Sequence, residues 1–230
     1  LPGEGPEWCA VLPRVWRDRD EPALRTLLER ARALGFTGVL IGNLGHLPLV
    51  RGLNFHLYGD YGLNVFNSRS LAYLKDKELE SACVSFELRF AQIRDLKKVL
   101  RAEAIVYGRL PLMIAENCLV QNETGCRLDR QGPCVPEDGP CRCGQPNVLV
   151  DRTGAAFPLL PAYGHRTEIQ NSKPLYLADR PEHRRLGLAY ARLRFTTETA
   201  EECVSVVQNY LDAAPAAGDF TRGLYERGVE

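Results

Sequence analysis

The sequence predicts an α/β protein: a partial (β/α)8 TIM-like barrel with about six of the eight strand–helix units and a cysteine-rich β insert. Two observations predict the barrel, namely apolar strand-like runs recurring about every 25 residues and helix-spaced apolar residues between them. A third, the stretch 115–150 where that rhythm stops, predicts the insert. Strands alternating with helices imply parallel βαβ units with right-handed crossovers. Residues 1–114 are then barrel units, 115–185 the metal-binding insert with small hairpins, and 186–230 the last strand–helix unit and tail.

Residues 11–15 form a short β-rich run. Pro22 then opens a helix through Leu24, Leu27, Leu28, Ala31 and Leu34, which Gly35 ends. Residues 38–42 are a continuous apolar run of the kind found in strands covered on both faces. Residues 55–58 give a third strand, and Ser68 caps a helix containing Leu71, Ala72 and Leu74. A fourth strand is expected at 83–88, a helix through Phe90, Ile93, Leu96 and Leu100, and a fifth strand at 104–107. Within the insert, 148–150, the turn Asp151 to Gly154 and 157–160 read as a hairpin, with another strand near 174–177. Residues 187–195 restore the strand pattern, and Thr199 with Glu202 makes a capping box opening a helix through Val204, Val207 and Leu211.

Six units fall short of a closed barrel of eight strands. The chain opens at Leu1 without an initiator methionine, so the missing N-terminal strands are expected in the parent protein; an open six-stranded sheet leaves two edges unpaired. A doubly wound open sheet is the alternative. The formal net charge is zero, which gives RNA no global basic field to follow. No apolar stretch approaches the roughly 18 residues of a membrane span, and no secretory signal is visible, so a soluble, cytoplasmic protein is expected.

Five of the eight cysteines (Cys118, Cys126, Cys134, Cys141 and Cys143) lie between residues 118 and 143. In a reducing compartment such a cluster points to a metal before it points to disulfides. Thiolates favour zinc or an iron–sulfur cluster over magnesium or calcium. Cys141 and Cys143 are one residue apart and can reach one ion, and His165 is the best nitrogen ligand. Cys9, Cys83 and Cys203 sit in periodic apolar segments and read as small buried hydrophobes. His183, among Glu182, Arg184 and Arg185, reads as solvated, whereas His46 and His56 fall near strand ends.

Parallel β/α folds place their ligand face beyond the carboxyl ends of the strands. That rim would carry Arg14, Asn43, Asp60, Glu87 and Arg109, with Asn64, Asn67 and Glu198 just beyond. Asp60 and Glu87 are candidate proton acceptors. Arg109 and Arg14 suit a carboxylate or phosphate, and Asn43 and Asn64 suit substrate contacts. Phosphate-binding loops, nucleophile elbows and zinc-protease helix motifs are absent from the sequence.

The run Ile105-Val-Tyr-Gly-Arg-Leu-Pro-Leu-Met-Ile-Ala-Glu-Asn-Cys118 resembles the signature region of the collagenase-like peptidases of family U-32. Supporting segments are Val39-Leu-Ile-Gly-Asn-Leu-Gly-His46, Gly62-Leu-Asn-Val-Phe-Asn-Ser68 and Asn171-Ser-Lys-Pro-Leu-Tyr-Leu-Ala-Asp179. The resemblance implies a barrel-like β/α domain and a peptidase of unassigned catalytic type acting on peptides; the rim residues add a small anionic substrate, and the cysteine cluster adds dependence on a metal. The resemblance also implies an alternative, an oxygen-independent hydroxylase that modifies RNA or a quinone precursor through an iron–sulfur cluster. The cysteine cluster itself allows a third reading, a structural zinc module in a binding protein. Cys118 matches the cysteine closing the signature segment, and Cys141 and Cys143 resemble the next ones. His165 stands where the family's pattern has a further cysteine, which favours zinc or a cluster with one histidine ligand; Cys126 or Cys134 could substitute.

Overall fold

The computed structural model describes residues 6–124 and 145–228. In chain order the first half comprises β1 (Cys9–Val11), α1 (Glu21–Ala33), β2 (Gly38–Ile41), α2 (Leu47–Val50), β3 (His56–Gly59), α3 (Ser68–Asp76), β4 (Ser81–Cys83), α4 (Phe90–Asp95) and β5 (Arg101–Gly108). The second half comprises β6 (Pro111–Ala115), α5 (Leu119–Thr124), β7 (Asn147–Val150), β8 (Ala156–Ala162), β9 (Arg166–Gln170), β10 (Leu175–Tyr176), β11 (Tyr190–Arg194) and α6 (Ala200–Asp212). The fold is mixed α/β, built on a curled parallel half-barrel of six strands within a seven-stranded sheet. The chain divides into two compact units: one of Leu1–Ile105, Glu182–Arg192 and Gly223–Glu230, the other of Val106–Pro181 and Leu193–Arg222.

In the first unit β1, β2, β3, β4 and β5 pair in chain order, each parallel to the next. Side chains alternate between the two faces of a strand. Val39, Ile41, Ala82, Ala102 and Ala104 point to one face and are buried, together with Leu24 and Leu28 of α1 and Leu71 and Leu74 of α3. Each buried leucine contributes roughly 1.5–3 kcal/mol by leaving water, so this helix-covered face carries the unit's stability. The opposite face carries Cys9, Tyr58 and Glu103, all only half-buried, and Val11, which is 66% exposed in the edge strand.

Several boundaries move from their expected places, each for a local reason. β1 covers 9–11 and not 11–15: Leu12 N–H still donates to Leu40 O at 3.2 Å, but Pro13 has no N–H to continue the ladder. β4 covers 81–83 where 83–88 was expected, because the chain turns after Ser85, closed by Leu88 N–H on Ser85 O at 3.2 Å. Leu96, with φ −61° and ψ 131°, is extended, so α4 stops at Asp95 short of Leu96 and Leu100. Asn67 caps α3 in place of Ser68, its side chain accepting from Ser70 N–H at 3.0 Å. His183 is buried, contrary to the solvated reading: the 3-10 turn Pro181–Arg185 directs His183 and Leu186 inward and leaves Glu182, Arg184 and Arg185 outside.

In the second unit β6, β9, β8 and β7 form a four-stranded antiparallel sheet in that order. The expected β7–β8 hairpin is present, and Asp151 Oδ1 holds its turn by accepting from Thr153 N–H at 2.8 Å and Ala155 N–H at 3.0 Å. β6 and β9 were not anticipated. β10 pairs antiparallel with Tyr107 and Gly108 at the end of β5, and so belongs to the larger sheet. Tyr107, Tyr176 and Tyr210 pack with Phe195, and Tyr210 OH accepts from Leu177 N–H at 2.8 Å. The Thr199–Glu202 capping box opens α6 as expected, with Thr199 N–H donating to Glu202 Oε2 at 2.7 Å.

Candidate functional site

Strand register brings chemistry together on the inner face of the half-barrel. Gly59 pairs with Ala82 and Cys83 pairs with Glu103, so Asp60, one residue past β3, enters the same layer as Cys83 and Glu103. Asp60 N–H extends the ladder by donating to Ile41 O at 2.8 Å. Arg192 of β11 lies between the two carboxylates: one Nη1 donates to Asp60 Oδ1, and Nε lies 2.5 Å from Glu103 Oε1. Side-chain exposure is 9% for Asp60, 17% for Glu103 and 18% for Arg192, so these charges are largely out of water.

Burial sets the proton affinities of this layer. Desolvation raises the Glu103 pKa and the Asp60 charge adds to it, against the lowering effect of Arg192. The fully buried Cys83 thiol is pushed well up by burial and by Glu103, which keeps it protonated and poorly nucleophilic. Burial works against a charged Arg192, but the Glu103 and Asp60 carboxylates outweigh it and hold the guanidinium protonated. One layer down, Tyr58 OH donates to Glu7 Oε2 at 2.5 Å, and Cys9 is raised to about 11 by burial and then by Glu7 and Glu103. Two carboxylates around one cation, one of them with elevated proton affinity, form a group able to accept and return a proton.

Above this layer sits the rim. Arg14 lies over the Tyr61 ring, 5.3 Å from its centroid, and Tyr61 and Phe86 are tilted rings 6.0 Å apart. Gly62 permits that approach: a Cβ there would lie 2.6 Å from Gly42 O and 2.8 Å from Arg14 Cδ. Asn43 is used in folding, accepting from Gly45 N–H at 2.8 Å and donating to Arg14 O at 3.4 Å. Asn64, at φ 47°, closes a left-handed turn and is exposed, while Glu87 is half-buried in the turn after β4, its N–H 3.3 Å from Ser85 Oγ. His46 is buried under Trp16, Nε2 3.2 Å from Pro13 O, and burial lowers its pKa to about 4.

Arg109 belongs to the second unit, where Nη1 donates to Asn171 O at 3.0 Å and to Ser172 O. Cys118 is half-buried just before α5, its Sγ accepting from Gln121 N–H at 3.4 Å. Leu119 N–H donates to Thr167 Oγ1 at 3.0 Å, and Arg166 Nε donates to Glu116 Oε2 at 3.0 Å. These bonds set the Cys118 segment beside the β8–β9 turn that carries His165 at φ 59°. Cys126, Cys134, Cys141 and Cys143 lie outside the described residues. Among the described residues, no three potential metal ligands gather in one group.

Position at a strand end does not mark Glu103 or Arg192 as site residues, because both lie within strands. Alternation was the available signal: Arg101 and Glu103 against Ala102 and Ala104, and Tyr190, Arg192 and Arg194 around Ala191 and Leu193. A polar residue at every second position in a strand marks a polar inner face.

Residues 5–148, more than half of the chain, match the family described as peptidase family U32. The chain belongs to peptidase family U32. The U32 match contains Asp60, Cys83, Glu103 and Cys118, while His165 and Arg192 lie beyond it. No curated protein matches the chain.

Proposed function

We propose that this U32 chain is a peptidase whose reacting groups are the carboxylates of Glu103 and Asp60, with Arg192 as their counter-charge. The observation carrying this reading is the buried Asp60–Arg192–Glu103 layer on an otherwise half-open face. Glu103 takes a proton from water, the water oxygen adds to the amide carbon, and the C–N bond breaks as the proton passes to the leaving nitrogen. Arg192 limits the cost of charge on the carboxylates, and Arg14 over Tyr61 offers a cationic, aromatic rim for a peptide or small anionic substrate. Glu87 and Arg109 stay as candidates of lower rank, one in a turn and the other committed to backbone carbonyls. Cleavage of an unfolded peptide should fall by at least about a hundredfold in Glu103→Gln, the scale expected when a general base is lost. Unchanged cleavage in Glu103→Gln would remove the proposal, and unchanged cleavage in Glu87→Gln is expected.

A second reading rests on Cys118 and His165 flanking the same end of the small sheet. A sulfur accepting a backbone N–H fits a thiolate ligand, so zinc or an iron–sulfur cluster would be held by Cys118 and His165, with Cys141 and Cys143 completing the set. Bound there, zinc would supply Lewis acidity or structure, and a cluster would relay the two electrons that an RNA base or quinone precursor loses on hydroxylation to an oxidising anionic cosubstrate. Metal analysis and a visible spectrum after anaerobic purification separate the two; a metal-free protein, or one whose metal survives Cys118→Ala, refutes the site. A cytoplasmic place of action belongs to this reading and rests on the free thiols Cys9, Cys83, Cys118 and Cys203. Among the described residues no helix is long and apolar enough to cross a membrane. Among the described residues β1 pairs only with β2, and further barrel strands of a longer parent would pair along its other edge.

A further inference from the structure

Two helices of equal length, 13 residues each, carry apolar residues on their solvent faces. On α6, Val204, Val207 and Leu211 are 71%, 42% and 70% exposed, at spacing i, i+3, i+7. On α1, Leu27 and Leu34, its C-cap residue, are 50% and 69% exposed at spacing i, i+7. Seven residues of helix span about 10 Å, so the two stripes match in length. Their charges are complementary. α6 carries Glu201, Glu202 and Asp212 and no basic residue, whereas α1 carries Arg25, Arg30 and Arg32 against Glu21 and Glu29.

The groups available for pairing are placed beside the stripes. Arg25 is held by Glu21 at 2.7 Å, and Arg32 donates to Leu53 O and Asn54 O. Arg30 is exposed on the turn between Leu27 and Leu34. On α6, Glu202 is engaged in the capping box, while Glu201 and Asp212 are exposed at the two ends of the Val204–Leu211 stripe, Asp212 accepting from Gln208 Nε2 at 2.9 Å through one of its two oxygens. An apolar stripe with an acidic border on one helix, and one with a basic centre on the other, are complementary surfaces of one molecule.

We infer that this chain self-associates, α6 of one copy packing its Val204–Leu211 stripe against the Leu27–Leu34 stripe on α1 of a second copy. The contact is heterologous, so it closes into a ring or propagates. It is small by the standard of stable interfaces, so association belongs in the micromolar range.

Sedimentation velocity on the full chain, from about 1 µM to about 200 µM, reads the association directly. Weight-average mass should rise with concentration, and Leu34→Glu and Leu211→Glu should each raise the dissociation constant at least about tenfold, with unchanged circular dichroism. Arg30→Glu should weaken association, and mixing it with a Glu201→Arg, Asp212→Arg double variant should restore a mixed complex. A wild-type protein that stays monomeric throughout the range overturns the inference. So does association that survives Leu34→Glu, or that is abolished by Leu211→Glu while Leu34→Glu leaves it intact, since α6 would then meet something other than α1.

Discussion

Replacing Arg192 with methionine tests the charged layer most directly. The substitution keeps much of the side-chain volume but leaves the Asp60 and Glu103 carboxylates, 9% and 17% exposed, facing each other without a counter-charge. Breaking a buried ion pair by removing one partner costs about 3–5 kcal/mol, a large share of the roughly 5–15 kcal/mol that holds a typical domain folded. Because burial already raises the Glu103 pKa, loss of the guanidinium raises it further. A carboxyl with a raised folded pKa stabilises the protein fully below its unfolded pKa and progressively less as pH rises through the folded value. The deficit of Arg192→Met should therefore be full near pH 8 and smaller near pH 5. Urea unfolding at both pH values, compared at equal slope, measures it. Combining the substitution with Asp60→Asn and Glu103→Gln should recover most of the loss, since no charge is then buried alone. A loss below about 1 kcal/mol at pH 8, or one that does not change with pH, would show that Arg192 is not what holds these carboxylates.

Other residues give independent tests. His46 has a folded pKa of about 4 against an unfolded 6.5, so the unfolded chain binds the extra proton. Stability is full above pH 6.5 and falls by about 3 kcal/mol as pH drops towards 4, a component that His46→Phe should remove; an unchanged pH profile in that variant refutes the assignment. Gly62→Ala should cost about 1–3 kcal/mol and lower affinity for peptide, because its methyl group meets Gly42 O at 2.6 Å and displaces Arg14; thermal melting and substrate titration read both effects.

The strand–helix grammar was legible because apolar periodicity is local: β2, β3, α3, the β7–β8 hairpin and the α6 capping box all stand close to where their residues place them. Family membership was legible for a related reason, since the run from Ile105 to Cys118 is contiguous. Boundaries depended on single hydrogen bonds, such as the one Pro13 cannot make after β1 and the Ser85–Leu88 turn that shortens β4.

Other features needed the tertiary structure. β6 and β9 are separated by about fifty residues and become strands by pairing with each other, a non-local reward that short-range patterns do not carry. His183 looked solvated among charged neighbours, yet the turn geometry points it inward. Asp60, Glu103 and Arg192 stand far apart in the chain, and parallel register together with β11 beside β5 sets them in one layer. The residue types and their alternation were written in the sequence. Which charge faces which, and how far burial raises a proton affinity, depends on distances across strands that only the folded sheet sets.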